Sequence, residues 1–252
     1  MKEQKKYAIS VIAGLLTIIV SSIILFSSGS YAVYTADTAK RKLPVYGVGL
    51  DDGALSISFD CAWGTDYTDK ILDTLDFYNV KATFFVVQFW AEKYPDYLKK
   101  IVGRGHEVGT HSKTHPKMSK LSAEEIEEEL KSSVAAIENV TGQKVKLFRP
   151  PFGDYDDKVI TAAENLGLYT IQWNVDSLDW KNLSAEQIAA RVIKKAGSGS
   201  IILMHNNGLH TAESLPLIFT ATQQKGLVYR PISELIYTDD FRITPDGTQI
   251  KN

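Results

Sequence analysis

Strand-like and helix-like patterns alternate along this chain from Gly49 onward, and this alternation restricts the possible folds more than any other feature. Amphipathic helical patterns separate the strand-like runs, and several of them begin at Ser or Asp and end at Gly. Seven apolar runs have the length of buried strands, and they cover residues 54–60, 81–87, 106–111, 146–150, 169–173, 200–205 and 226–230. Strands joined through helices pair in parallel, because each helix returns the chain to the same end of the sheet.

Parallel pairing leaves two architectures, an open doubly wound sheet and a closed barrel. No G-x-G-x-x-G motif follows the first strand, as it does in the dinucleotide-binding form of the open sheet. We therefore expect an α/β protein whose folded domain is a distorted (β/α)7 barrel.

Polar side chains stand at the carboxyl ends of these strand-like runs. They are Asp60, His111, Arg149 and His205, with Asp176 and Asp179 directly after the fifth run. The carboxyl ends of parallel barrel strands share one rim, where loops build active sites. We therefore expect these distant residues to meet at one site.

The segment HSKTH places His111 and His115 four residues apart, so that both rings could hold one cation if the loop turns helically. The pair alone is a weak signal, but its position at the expected rim favours a metal site. Asp60 is open to three interpretations: a catalytic base, a metal ligand or a turn residue. Cys61, the chain's only cysteine, follows it directly and cannot form an internal disulfide.

Composition argues against a nucleic-acid partner. The formal net charge is −2, and lysines and arginines are scattered along the chain and form no basic stripe. The densest charged run, at 124–131, alternates acids with apolar residues at a helical interval, which is typical of the solvated face of a helix.

The amino terminus predicts a membrane segment, because three lysines precede a stretch without charge at 8–26. This stretch is long enough to span a bilayer, yet Ser30 and Ala32 have the small side chains that a signal peptidase accepts. We expect a single-pass anchor in the cell membrane with the folded domain outside the cytoplasm, or a secreted domain if the signal is cleaved. The expected divisions are a basic cytoplasmic segment at 1–6, an N-terminal transmembrane helix or signal at 7–27, a linker at 28–48, the folded domain at 49–240 and a tail at 241–252.

Five segments occur in an order that resembles a known family. They are SFDCAWG, GTHSKTHP, FRPPFGDY, DSLDW and ILMH, and they extend over roughly residues 50–240. In this order they resemble the polysaccharide deacetylases with a NodB-homology domain, which form carbohydrate esterase family 4. The F-D-x-x-W-G pattern and the segment LPVY are similar to the spore-associated branch of that family. The fold that this resemblance implies, a distorted seven-stranded barrel, agrees with the alternation.

The resemblance also implies roles for individual residues. It makes Asp60 the general base, His205 the general acid, and His111 and His115 ligands of a divalent metal, most simply zinc, with cobalt as an alternative. The implied supporting residues are Arg149, which tethers the base, and Asp179, which orients the acid. The substrate-binding residues are expected to be Phe152, near whose backbone N–H the oxyanion would lie, Leu203 against the acetyl methyl, and Trp63 and Trp180 as stacking surfaces for sugar rings.

The sequence departs from the family where the third metal ligand is expected. The family's first motif has a second aspartate, and this chain has Cys61. A thiolate is a legitimate zinc ligand, Asp66 could be brought round by the insertion before Gly64, or Asp60 could itself bind the metal. A weak or absent metal is a further possibility, with Cys61 as a small buried residue.

The resulting hypothesis is a metal-dependent hydrolase that removes N-acetyl groups from peptidoglycan or a related N-acetylated polysaccharide, with a role in sporulation implied by the resemblance alone. The alternative is a cell-wall glycan-binding protein with a weakened catalytic site on the same fold. An esterase-type enzyme acting on xylan or chitin differs only in substrate. The sequence leaves the oligomeric state open.

Overall fold

The computed structural model describes residues 41–252. Its strands are β1 Gly47–Val48, β2 Ala54–Cys61, β3 Thr83–Val86, β4 Glu107–Thr110, β5 Leu147–Phe148, β6 Tyr169–Thr170, β7 Val175–Asp176, β8 Ile201–His205, β9 Val228–Tyr229, β10 Phe241–Ile243 and β11 Thr248–Lys251. Its helices are α1 Thr68–Phe77, α2 Gln88–Lys93, α3 Pro95–Gly103, α4 Ala123–Thr141, α5 Asp157–Asn165, α6 Ala185–Lys195, α7 Thr211–Gln224 and α8 Ile232–Leu235. Short 3₁₀ turns lie at Met118–Lys120, Pro151–Gly153 and Asp179–Lys181.

None of the helices within 41–252 has both the length and the apolar character needed to cross a bilayer. The predicted anchor or signal at 7–27 and the basic segment before it lie outside the described residues.

The main sheet has the order β6-β5-β4-β3-β2-β8-β7, and its neighbouring strands pair in parallel. Strands β6 and β7 belong to one stretch of chain, 169–176, which pairs with β5 at its beginning and with β8 at its end. One stretch of chain therefore joins the two edges of the sheet, and the sheet curls into a distorted barrel. The predicted α/β class and parallel pairing are confirmed.

The seventh predicted strand does not close the barrel as expected. Each of the seven predicted runs contains a strand, but β9 pairs only with Ala54 and Leu55 at the start of β2. The stretch 169–176, and not β9, completes the ring of strands. Sequence patterns detect a short strand but do not show which neighbour it pairs with.

Strand β2 is buried on both faces, as expected for a central parallel strand. Successive side chains of a strand point to opposite faces. Phe59 and Cys61 therefore pack in the larger apolar cluster with helical residues such as Leu72. Ser58 and Asp60 face the barrel interior, where the Ser58 hydroxyl donates to the Ile202 carbonyl at 2.7 Å.

Two apolar clusters support the rim from below. The larger one lies between the sheet and the surrounding helices. The smaller one lies on the opposite face of the sheet and includes Phe85, Leu147, Ile171 and Ile201, so it fills the barrel interior beneath the polar residues. Burial of these side chains fixes the strands, and with them the positions of the residues at their carboxyl ends.

The predicted linker end and tail pair with each other. Strand β1 lies parallel to β11, with Gly47 opposite Thr248, and β10 completes a three-stranded sheet by antiparallel pairing. The structural unit accordingly extends from Lys42 to Asn252.

Candidate active site

The carboxyl ends of β2, β4, β5 and β8 bring the predicted polar residues together. Asp60 on β2 lies directly opposite His205 on the adjacent strand β8 in the parallel register. Arg149 follows β5 and its backbone N–H donates to the Thr110 carbonyl on β4, at 3.0 Å. His111 is the residue directly after β4.

Asp60 and Arg149 form a buried ion pair. Arg149 Nη1 donates to Asp60 Oδ1 at 2.8 Å, and Nη2 donates to the Gln172 carbonyl at 3.1 Å. The guanidinium also lies 4.1 Å from the centre of the Phe85 ring. Burial alone would raise the pKa of Asp60, but the charge of the Arg149 guanidinium and its hydrogen bond outweigh the effect of burial, so the pKa lies below its ordinary value. Asp60 is therefore a carboxylate at neutral pH.

The imidazole of His111 is held in one tautomer. Its Nδ1 lies 2.7 Å from the Arg149 carbonyl, and a carbonyl only accepts, so Nδ1 carries a proton. Burial lowers the pKa of His111, so the ring is neutral and Nε2 carries a lone pair. This nitrogen lies 3.5 Å from Asp60 Oδ2. The lone pair and the carboxylate oxygen repel each other in this buried site, and a cation bound between them would remove that repulsion.

His115 lies beside His111, with 4.9 Å between the ring centres. A helical turn was the condition under which the spacing would bring both rings to one cation, but Ser112 and His115 adopt left-handed backbone conformations, with φ of 72° and 60°. The His115 N–H donates to the Ser112 hydroxyl at 3.0 Å. Burial and the neighbouring His111 lower the pKa of His115 to about 4, so this ring is also neutral at pH 7. Strained backbone of this kind is concentrated at functional sites.

Glu129 holds the loop between the two histidines, and sequence analysis missed it. Its carboxylate accepts from the N–H groups of Lys113 and Thr114, both at 2.8 Å, and from the Thr114 hydroxyl at 2.6 Å. It belongs to the acidic run that was expected to face solvent, yet its side chain is buried. The spacing of Glu129 from Ile126 and Leu130 could have indicated its burial, because these residues share one buried face of α4.

In the part of the chain that the structure describes, neither Cys61 nor Asp66, the predicted third metal ligands, lies in a metal-holding group with the two histidines. Cys61 faces the cluster between sheet and helices, on the side of β2 opposite Asp60, and burial raises the pKa of its thiol well above the ordinary value. Asp66 is exposed to solvent. Within residues 41–252, no three His, Cys, Asp or Glu side chains lie close enough together to hold a metal ion. The described residues therefore supply two imidazoles, and the Asp60 carboxylate, 3.5 Å from His111 Nε2, does not complete a three-ligand group with them.

His205 is oriented by Asp179, as the resemblance implied. Its Nδ1 lies 2.7 Å from Asp179 Oδ1, and its backbone N–H donates to Oδ2 at 2.8 Å. Burial would lower the pKa of His205, but the hydrogen bond and the charge of Asp179 outweigh it and raise the pKa above its ordinary value. The carboxylate accepts a hydrogen bond from Nδ1–H, which leaves Nε2 as the nitrogen that can transfer a proton.

Thr211 is a second residue that sequence analysis missed. Its hydroxyl donates to Asp179 Oδ2 at 2.6 Å, so the buried carboxylate accepts from three donors. A Cβ at Gly208 would lie 2.2 Å from the Thr211 hydroxyl, so only glycine leaves room for this contact. No local pattern marks a threonine at the first position of α7 as a partner of Asp179.

The predicted substrate-binding residues surround these groups. Phe152 is exposed, has φ of 60° and contacts His115 edge-on, with 4.6 Å between ring centres. Trp63 is exposed and contacts the same ring at 5.1 Å. Leu203 is buried two positions before His205 on β8 and therefore lies on the same face of the strand. Trp180 is exposed and directly follows Asp179.

Comparisons with known proteins identify relatives of this chain. Residues 48–171 match a family model described as polysaccharide deacetylase. The chain is 37% identical over 193 residues to the uncharacterized protein YlxY of Bacillus subtilis, covering 77% of this chain and 60% of the relative. It is 31% identical over 192 residues to a peptidoglycan-N-acetylglucosamine deacetylase of Bacillus cereus, covering 75% of this chain and 70% of the relative. The chain thus spans less than two thirds of the length of YlxY.

Solved structures give the same result. The wild-type BA3943 protein of Bacillus anthracis, described as a family 4 carbohydrate esterase pseudoenzyme, superposes with a TM-score of 0.74 at 36% identity, covering 76% of this chain and 68% of that one. A mutant of BA3943 is described as having restored enzymatic activity. With its fold, its ordered motifs and these relatives, the chain belongs to the polysaccharide deacetylase family, carbohydrate esterase family 4.

Proposed function

We propose that this protein is a metal-dependent hydrolase that removes N-acetyl groups from peptidoglycan or a related N-acetylated polysaccharide. The observation that carries the proposal is the pairing of β2 with β8, which sets Asp60 opposite His205. One of these groups is an anion stabilised by Arg149, and the other is an imidazole whose pKa Asp179 raises. A base and an acid side by side are what amide hydrolysis requires. Relatives named as peptidoglycan deacetylases support this substrate class.

The two histidines fit a divalent cation in their chemistry. Both imidazoles are neutral at pH 7, and the lone pair on His111 Nε2 faces the Asp60 carboxylate. Zinc is the simplest choice for imidazole ligands, with cobalt as an alternative. Such an ion, when bound by His111 and His115, would polarise the acetamide carbonyl and make bound water more acidic.

Asp60 serves as the general base in this proposal. Its carboxylate accepts the proton of the attacking water. Arg149 keeps Asp60 ionised and fixes its orientation through the 2.8 Å hydrogen bond. The Arg149 carbonyl orients His111 at the same time, so one residue positions both the base and a metal ligand.

His205 serves as the general acid. It gives its Nε2 proton to the departing amine nitrogen, and Asp179 stabilises the imidazolium before transfer. We further propose that the backbone N–H of Phe152 helps to hold the developing oxyanion and that Leu203 contacts the acetyl methyl group. Acetate and a free amino sugar are the products.

A second candidate function is glycan binding without turnover. The observation that favours it is the third ligand position, because Cys61 faces away from the two histidines. Similarity to BA3943, described as a pseudoenzyme, is consistent with it. Weak metal binding would lower or abolish catalysis while leaving the aromatic surface around the site intact.

Acetate release separates these candidates. The purified full-length chain is incubated with N-acetylglucosamine oligomers, peptidoglycan and acetylated xylan, first with EDTA and then with Zn²⁺ or Co²⁺. The deacetylase proposal expects acetate from an N-acetylated glycan only in the presence of metal, and none from the Asp60→Asn variant. Glycan binding that persists in EDTA, without acetate at any metal concentration, would establish the second candidate.

We also propose that the folded domain lies outside the cytoplasm, tethered by residues 8–26 or released after cleavage, and that it acts on the wall during sporulation. The lysines at positions 2, 5 and 6 and the absence of charge from 8 to 26 support the first part. The similarity of SFDCAWG to the spore-associated branch supports the second. Cell fractionation with mass spectrometry of the amino terminus tests tethering, and peptidoglycan analysis of spores from a deletion strain tests the role.

A further inference from the structure

Gln172 connects two parts of the candidate active site, and the sequence did not mark it as a site residue. It lies between β6 and β7 and is 2% exposed. Its backbone carbonyl accepts from Arg149 Nη2 at 3.1 Å, and its side-chain Nε2 donates to the Gly153 carbonyl, also at 3.1 Å. One buried residue therefore contacts both the guanidinium that orients Asp60 and the turn that contains Phe152.

The turn at Phe152 has an unusual backbone. Phe152 and Gly153 are consecutive left-handed residues, with φ of 60° and 66°. A phenylalanine is uncommon in this region, and such a conformation persists only where surrounding contacts hold it. Within the turn, the Gly153 N–H donates to the Pro150 carbonyl at 3.1 Å. The Gly153 carbonyl accepts from Gln172 instead, and this hydrogen bond ties the turn to the stretch of chain that closes the barrel.

Gln172 is itself held in place. Its backbone N–H donates to the Val45 carbonyl at 2.7 Å. Its side chain fits closely against the turn, because a Cβ added at Gly153 would lie 3.2 Å from Gln172 Oε1 and 3.1 Å from the Cη2 atom of Trp173. These contacts leave the amide little freedom to move. The turn is therefore held in one geometry before a substrate binds, as electrostatic catalysis requires of its hydrogen-bond donors.

We propose that Gln172 is a positioning residue, whose side-chain amide holds the Phe152–Gly153 turn in the geometry that directs the Phe152 N–H at the oxyanion. The role of this N–H rests on the proposed function, and Gln172 acts on the reaction only through the turn. The oxyanion's charge develops in the transition state. A displaced donor therefore lowers kcat, while binding of the substrate in its ground state is unchanged.

Gln172→Met tests this role, because it keeps the length of the side chain and the carbonyl that Arg149 contacts, but removes the amide. Acetate release from the N-acetylglucosamine tetramer is measured on the zinc-loaded full-length chain. Loss of an oxyanion donor outright lowers kcat about 100- to 1000-fold, so a displaced donor should lower it about 10- to 100-fold, with KM within about twofold. Hydrogen exchange of the backbone amides at 151–154 should become faster.

Gly153→Ala disturbs the same contact from the other side, since its Cβ would crowd the Gln172 amide in a backbone conformation that favours glycine. It should lower kcat in the same way. The double variant should lose less than the product of the two single losses, because both changes act on one contact. This variant also decides the matter if Gln172→Met does not fold, since wild-type kcat in Gly153→Ala contradicts the proposal.

Gln249→Met is the matched control, since Gln249 on β11 is also buried and its amide donates to the Tyr237 carbonyl at 2.7 Å. It should lower the thermal unfolding temperature to a similar degree but leave kcat and the exchange at 151–154 unchanged. Wild-type kcat in Gln172→Met, a raised KM without a fall in kcat, or an equal loss of kcat in Gln249→Met overturns the inference. No acetate from the wild type rejects the proposed function, and exchange then decides whether Gln172 holds the turn: faster exchange supports it and unchanged exchange overturns it.

Discussion

Replacing Asp60 by Asn tests whether the Asp60–Arg149 pair is as deeply buried as the structure shows. The substitution keeps the size of the side chain and one acceptor oxygen, but it removes the negative charge beside Arg149. The guanidinium is fully buried, so it cannot recover its lost partner from solvent. Removing one member of a buried ion pair costs about 3–5 kcal/mol, and the surviving acceptor places the expected loss for Asp60→Asn at about 2–4 kcal/mol.

The double variant separates the lost interaction from simple disruption. Arg149→Met removes the uncompensated charge and keeps apolar contact with Phe85, so Asp60→Asn combined with Arg149→Met should be more stable than the sum of the single losses predicts. We expect a coupling energy of about 2 kcal/mol. The measurement is urea unfolding followed by circular dichroism at pH 7, in EDTA so that bound metal does not contribute.

The dependence on pH has a defined sign. The pKa of Asp60 is lowered by folding, so its stabilising contribution is complete above the unfolded pKa, about 3.9, and is lost as the pH falls through the lower folded value. The difference between wild type and Asp60→Asn should therefore be constant from pH 7 to about 5 and shrink below about pH 4. A coupling energy below about 0.5 kcal/mol at pH 7 would refute the assignment of a buried, strongly interacting pair.

Three further outcomes are expected. Asp179→Asn removes the charge that raises the pKa of His205; loss of activity with increasing pH should then begin at lower pH than in the wild type, as read from a pH profile of kcat/KM. His115→Ala should release bound zinc in elemental analysis without changing thermal unfolding in EDTA by more than a few degrees, and unchanged zinc content would remove His115 from the site. Cys61→Ala should leave zinc content unchanged and lower stability by about 1 kcal/mol through lost packing, whereas loss of zinc would show that the thiol is a ligand.

Convergence of the rim residues could be predicted because it follows from topology. Once strands are parallel, all their carboxyl ends lie at one edge, whatever the loops do. That rule and the ends of three apolar runs were sufficient to predict that Asp60, Arg149 and His205 lie close together. The structure brings them together with the pairing that the family resemblance implied.

The sequence could not show that Cys61 points away from the two histidines, because the direction of its side chain depends on where β2 ends. Strand β2 continues through Cys61, which pairs with Val86, so alternation turns the thiol towards the helices. A strand ending one residue earlier would have left that side chain free to turn. Glu129 and Thr211 were missed for another reason, because each acts on a loop or turn distant in sequence. The predicted membrane segment stays a prediction.

The register between β2 and β8 has a consequence for how this protein could be altered. The separation between the backbones of Asp60 and His205 is set by the lateral distance of adjacent strands, about 4.8 Å, and the lengths of the intervening loops do not determine it. Loop changes that leave Gly208 and Thr211 in place can therefore alter the surface around the site while the backbone positions of the proposed base and acid keep their mutual distance. In this architecture the loops around the site can change without changing the strand pairing that positions Asp60 and His205.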